Sequence, residues 1–135
     1  MVFSDQTYSV LVVSAAQKFN EAFAAMLPGS EYYPVRFVGN IAAARREMVN
    51  KTYDLVIINA PLPDEFGHEL CMDAVASTDA GVVFLVKAAQ AEQLLAPLNE
   101  QGVLLLSKPF SNTLFVQAMH MAAASNHRLQ RLRQG

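Results

Sequence analysis

The sequence has no tryptophan and a single cysteine, Cys71, so an internal disulfide is excluded and a reducing compartment is the natural setting. Cys71 itself reads as a small buried residue. No run approaches the roughly 20 apolar residues needed to span a bilayer. The opening MVFSDQTYSV has no positive stretch and no apolar core of signal-peptide length, so export is not expected. These absences lead us to expect a soluble cytoplasmic protein with no membrane partner. Charge is also scarce: 16% of residues are Asp, Glu, Lys or Arg, and the net value is −2, which leaves no general nucleic-acid footprint. There is no G-x-G-x-x-G or Walker sequence, and Pro28-Gly29 reads only as a helix stop. His68, His120 and His127 are scattered, with no Cys/His ligand spacing, so neither a metal site nor a cofactor is expected. No repeat or low-complexity tract is present.

What the chain does have is apolar residues, 53% of its 135 positions. A chain of this length is expected to bury about two-thirds of its extended surface as one domain. Strands are predicted at Tyr8–Val13, Tyr32–Val38, Leu55–Ile58, Gly81–Val86 and Val103–Leu106, with Pro34 tolerable only if the second lies at an edge. Helices are predicted at 17–27, 41–50, from Asp64 or Glu65 to about 76, at 89–99 with an interruption near Pro97, and from a Ser111 N-cap toward Leu132. Met48, Met72, Met119 and Met121 fall at helical positions among other apolar residues and read as core filling. Arg45, Arg46 and Lys51 are expected to face water. Strands alternating with helices over short links give an α/β, flavodoxin-like doubly wound parallel sheet of five strands, in the order 2-1-3-4-5, with five helices.

The third strand commands the most attention. Its apolar run reads as buried on both faces and stops at Asn59, after which Ala60-Pro61-Leu62-Pro63 forces a loop. In an open parallel sheet, chemistry is placed just past the carboxyl ends of the strands. The residue found there is a neutral amide.

These features together resemble the receiver domain of two-component response regulators. Leu62-Pro63 lie three and four residues after Asn59, Gly67 lies eight after it, Lys108-Pro109 close the fifth strand, and Ala15 precedes Asn59 by 44 residues. The resemblance implies a phospho-accepting aspartate at position 59, two magnesium-binding acids at 14 and 15, and a Thr or Ser ending strand four. It further implies an aromatic switch at 105, a retained lysine at 108 and a cis Lys108–Pro109 bond. The chain instead offers Ser14, Ala15, Asn59, Leu105, and Val86 or Lys87 depending on where strand four ends; only Lys108 matches. A hydroxyl, a methyl and an amide carry no charge to hold Mg²⁺, and an amide cannot form an acyl phosphate. The chain is therefore expected to be a degenerate receiver and not an enzyme. Asp64 and Glu65 are the only nearby acids; they read as solvated helix-start residues rather than a substitute phospho-acceptor. Lys108 either reaches Asn59, Ser14 or a bound anion, or packs its stem on the sheet with its tip in water. That choice leaves open a small-molecule or anion sensor.

The last helix is long for so small a sheet, about 35 Å at 1.5 Å per residue. Leu129 and Leu132, beside Arg128, Arg131 and Arg133, read as a solvated tail or as the start of a linker or coiled coil. The expected division is a receiver-like domain over 1–124 and a helical extension over 125–135. The resemblance implies a homodimer or an output domain engaged through 89–99, 103–106 and 111–124. Nucleic acid would be bound only by a further output domain, of ANTAR-type antiterminator or DNA-binding kind.

Overall fold

The computed structural model describes residues 7–134, with side chains as far as Ser125. The elements are β1 (Tyr8–Val13), α1 (Gln17–Met26), β2 (Tyr32–Val38), α2 (Ile41–Asn50), β3 (Leu55–Asn59), α3 (His68–Ser77), β4 (Gly81–Lys87), α4 (Ala88–Glu100), β5 (Val103–Lys108) and α5 (Asn112–Gln134). The five strands form one parallel sheet ordered β2-β1-β3-β4-β5, as the sequence predicts. Tyr33 and Pro34 thus lie on an edge strand, where a residue without an N–H breaks no ladder.

Two cores flank the sheet because side chains alternate across it. Leu11, Val13, Val56, Ile58, Val82, Phe84 and Val86 pack beneath α2, α3 and α4. Val10, Val12, Leu55, Ile57, Val83 and Leu85 pack beneath α1 and α5. On the second face Phe23 and Phe115 meet edge to face at 5.4 Å, and Phe110 stacks on Phe115 at 5.3 Å. Cys71 is fully buried, and that desolvation pushes its thiol far above the ordinary range, as suits an inert core residue.

Several expectations need correction. The third helix begins at His68, not at Asp64 or Glu65. Asp64 instead accepts the Ile41 and Ala42 N–H groups at 2.9 and 3.0 Å, serving the amino end of α2 alongside Asn40, which caps Ala43. Those bonds, led by Ile41, hold the Asp64 carboxyl below its usual pKa. Helix α4 runs through Pro97, which sits exposed near its last turn, where the missing N–H and the displaced carbonyl meet water. β5 extends two residues beyond the predicted end, to Lys108. Arg45 is not simply solvated; it pairs with Asp73 and with Glu65. Met121 is 59% exposed and fills no core.

Two glycines are needed where they stand. Gly67 has φ of +120°, and a Cβ there would come within 3.1 Å of both Ile58 and Phe84. A Cβ on Gly81 would lie 2.4 Å from the Ala122 carbonyl oxygen, so the start of β4 is in direct backbone contact with α5.

Candidate functional site

The ladder carries Ser14 and Asn59 to the carboxyl edge of the sheet. The Ser14 N–H continues β1 by donating to Val38 at 2.9 Å, and the Ala60 N–H continues β3 by donating to Leu85 at 2.9 Å. Val13 pairs with Ile58, so Ser14 and Asn59 lie side by side on the α1/α5 face of the sheet, one step on from the pair Val12 and Ile57. Both are buried, at 2% and 5% exposure, and among the described residues they are the polar members of the interior.

Their polar atoms form a chain. The Asn59 Nδ2 donates to Ser14 Oγ at 3.2 Å, and Ser14 Oγ also accepts the Ala16 N–H at 3.2 Å. At the other side, Lys108 Nζ donates to Asn59 Oδ1 at 2.8 Å and to the Ala60 carbonyl at 2.7 Å. The Asn20 amide closes the α1 side by donating to the Ser14 carbonyl at 3.2 Å. Of the two sequence readings for Lys108, the tip is engaged rather than solvated. Burial lowers its pKa, and the charge of Lys87 lowers it further.

The register settles the end of strand four. Val86 is fully buried in the core under α2, α3 and α4, so it does not join this group. Lys87 is the residue paired with Lys108 across β4 and β5, and it caps α4 with its side chain exposed. Ala15 is exposed and contributes only a methyl group. Leu105 lies on the opposite face of β5 from Lys108, partly buried against the first core. The Lys108–Pro109 bond is cis, as are Tyr33–Pro34 and Ala60–Pro61.

Among the described residues no carboxylate bonds to this group. Asp64 is turned to α2 and Glu65 to Arg45. Among the described residues no cluster of three or more His, Cys, Asp or Glu could hold a metal ion. His68 and His120 are exposed and far apart in the fold, His120 lying over Tyr32; the His127 side chain lies outside the described residues. So do the side chains of Arg128, Leu129, Arg131, Leu132 and Arg133.

Sequence reasoning did not foresee the opposite edge of the sheet. Asp54 Oδ2 accepts the Ser9 N–H at 2.8 Å and the Ser9 hydroxyl at 3.2 Å, while the Asp54 N–H donates to Ser9 Oγ at 3.0 Å. A cavity of about 570 Å³ opens beside this pair, lined also by Met48, Tyr53 and Thr78. The cue was available: Ser9 and Asp54 are separated by 45 residues, as are Ser14 and Asn59.

A five-stranded parallel sheet ordered β2-β1-β3-β4-β5, with a polar cluster at its carboxyl edge, defines a flavodoxin-like doubly wound α/β fold. Residues 10–120 match the response regulator receiver domain family, and the chain belongs to that family. Solved structures agree on the fold. The chain is similar to the signal receiver domain of an HD domain-containing protein from Pseudomonas fluorescens, with 19% identity, TM-score 0.83 and 97% of each chain covered. It is similar to a two-component response regulator from Clostridium difficile, with 20% identity, TM-score 0.74, and 92% of this chain and 98% of that one covered. A third likeness is the receiver domain of a sensor histidine kinase from Pseudomonas aeruginosa, solved with a magnesium ion coordinated in its active-site cleft. It has 19% identity and a TM-score of 0.69, with 88% and 99% of the two chains covered. No protein of curated function matches the sequence. Among the described residues no helix is long and apolar enough to cross a membrane.

Proposed function

We propose that this receiver has lost phosphotransfer and is a non-enzymatic, cytoplasmic regulatory module that works through protein contacts, without phosphorylation. One observation carries the reading: the Lys108 ammonium is bonded to the neutral Asn59 amide oxygen at 2.8 Å, at the place where the family resemblance puts a phosphorylated carboxylate. Transfer needs an anionic nucleophile and a cation to clamp the phosphoryl oxygens. Ser14, Ala15 and Asn59 supply neither an anionic nucleophile nor a carboxylate ligand for the cation. Asp64 and Glu65, the substitute acids within reach in sequence, are committed to α2 and Arg45. The test is incubation with acetyl phosphate and Mg²⁺ followed by intact mass measurement. An unchanged mass is expected, and a gain of one phosphoryl group would overturn the reading.

The partner surface we propose is formed by α4, β5 and α5, serving a homodimer or an output domain for transcription or antitermination. Exposed apolar side chains support it: Leu95 on α4 at 46%, and Leu114 and Met121 on α5 at 47% and 59%. Leu114 and Met121 are seven residues apart, two turns along one side of α5, the spacing that a helix-borne contact uses. The receiver unit is taken as 1–124, with 125–135 as helical extension. Sedimentation of the wild type against Leu114→Glu/Met121→Glu tests this surface. A dimer dispersed by the pair supports it, while a monomer with the output partner bound equally by both forms would count against it.

A further inference from the structure

We propose that the carboxyl edge of the sheet is an oxyanion site, holding a phosphate-type group non-covalently between Lys87 and Lys108 with Ser14 and Asn59 as its floor. The inference rests on the loss of phosphotransfer proposed above and names what the altered site takes in its place. It begins from a count of hydrogen-bonding capacity. The Lys108 ammonium has three protons, of which two are used, by Asn59 Oδ1 and the Ala60 carbonyl. The Asn59 amide has two, of which one is used, by Ser14 Oγ. Ser14 Oγ accepts twice, from Ala16 and Asn59, and leaves its own proton to give. Three donors on three adjacent, buried or half-buried side chains are therefore unspent among the described residues.

The charge balance points the same way. Lys87 is the cross-strand neighbour of Lys108, and Lys87 makes no ion pair among the described residues. The acids of the adjacent loop face elsewhere, so among the described residues two cations share one rim with no ion-pair partner. Burial lowers the Lys108 pKa first, and the nearby Lys87 charge lowers it further. Lys87 is also the cap residue of α4, whose first turn carries no acid and whose N-terminal N–H groups receive no side-chain cap. An oxyanion with several acceptor oxygens relieves the repulsion and takes up the donors together. A divalent cation would meet only positive charge. Where the family resemblance implies acids, this chain has inverted the sign of the pocket.

The test titrates the full chain with inorganic phosphate, sodium chloride being adjusted to constant ionic strength, and follows Lys87, Lys108 and Asn59 amide shifts by NMR. Saturable binding is expected with Kd on the order of 1 mM, worth about 4 kcal/mol. Lys87→Gln, an exposed substitution that spares the core, should weaken it about tenfold, and Lys108→Gln by at least as much. Lys51→Gln, at the opposite edge, should leave it unchanged. A parallel titration with methyl phosphate tells a free ion from the end group of a metabolite: equal binding means the site takes a substituted phosphate, and exclusion means the free ion alone. Linear, unsaturated shifts up to about 50 mM, or binding that survives Lys87→Gln intact, would sink the proposal. Either result with an unchanged acetyl phosphate mass leaves the loss of phosphotransfer standing, whereas a covalent phosphoryl gain removes both.

Discussion

Strand β3 carries nearly the same clasp at each of its ends, and the difference between the two clasps is one atom type. Just before its first residue, Asp54 bonds Ser9 of β1; at its last, Asn59 bonds Ser14, which follows β1. Both pairs fasten the same two strands across 45 residues of chain. The carboxylate is kept at the edge where it ties strands together, and the amide stands at the edge where the receiver family does its chemistry. A strand clasp works with either group: the Asp54 carboxylate accepts from Ser9, and the Asn59 amide donates to Ser14. Phosphoryl transfer works only with the anion. On the reading proposed above, the chain keeps what holds the fold and lacks what drives the reaction.

The largest effect should come from making the two ends alike in charge. The triple variant Ser14→Asp/Ala15→Asp/Asn59→Asp supplies both a cation site and a nucleophile beside Lys108. We expect a Mg²⁺-dependent phosphoryl gain from acetyl phosphate, read by intact mass, where none is expected of the natural chain. Next, Asp54→Ala removes the acceptor for two Ser9 bonds and leaves a half-buried N–H unmet. A loss of roughly 1–3 kcal/mol is expected from denaturant midpoints, larger than that of Ser14→Ala, whose Asn59 partner keeps Lys108.

A smaller effect separates amide from carboxylate alone. In Asn59→Asp the introduced acid faces Lys108, so its folded-state pKa should fall below its unfolded value. Its stabilisation is then present above the ordinary carboxylate range and lost as pH drops through the folded pKa. The variant should gain stability over wild type near neutrality and converge with it in acid, followed by melting temperature against pH. Magnesium should not raise that curve, because Ser14 and Ala15 still lack acid. Smallest is Asp64→Asn. Its depressed pKa arises first from the Ile41 N–H, so the stabilisation it gives is also lost as pH falls below the carboxylate range. Removing the charge should flatten the acid limb of the stability profile by lowering stability slightly at neutral pH, with little change in acid.

The sheet was legible in the sequence because its strands are continuous apolar runs between turn residues, and strand order follows from the alternation with helices. The amide at 59 was legible for a related reason: the apolar run stops there and prolines follow. What escaped was non-local. Asp64 reads as the start of the nearest helix, but its carboxylate meets backbone 22 and 23 residues upstream, which no short-range pattern encodes. Val86 and Lys87 differ in role by one step of a two-residue period, so only the observed register, with Lys87 opposite Lys108, assigns each to its face. Met121 repeats the helical spacing of buried neighbours yet lies outward, since Ala122 and Ala123 take the inner positions.

Gly81 gives α5 a fixed fulcrum. With the Ala122 carbonyl seated against bare backbone, the helix is pressed onto the sheet at that turn and anchored again two turns earlier by Phe115. A single methyl added at position 81 would force that turn of α5 away from the sheet while leaving Ser14, Asn59 and Lys108 untouched.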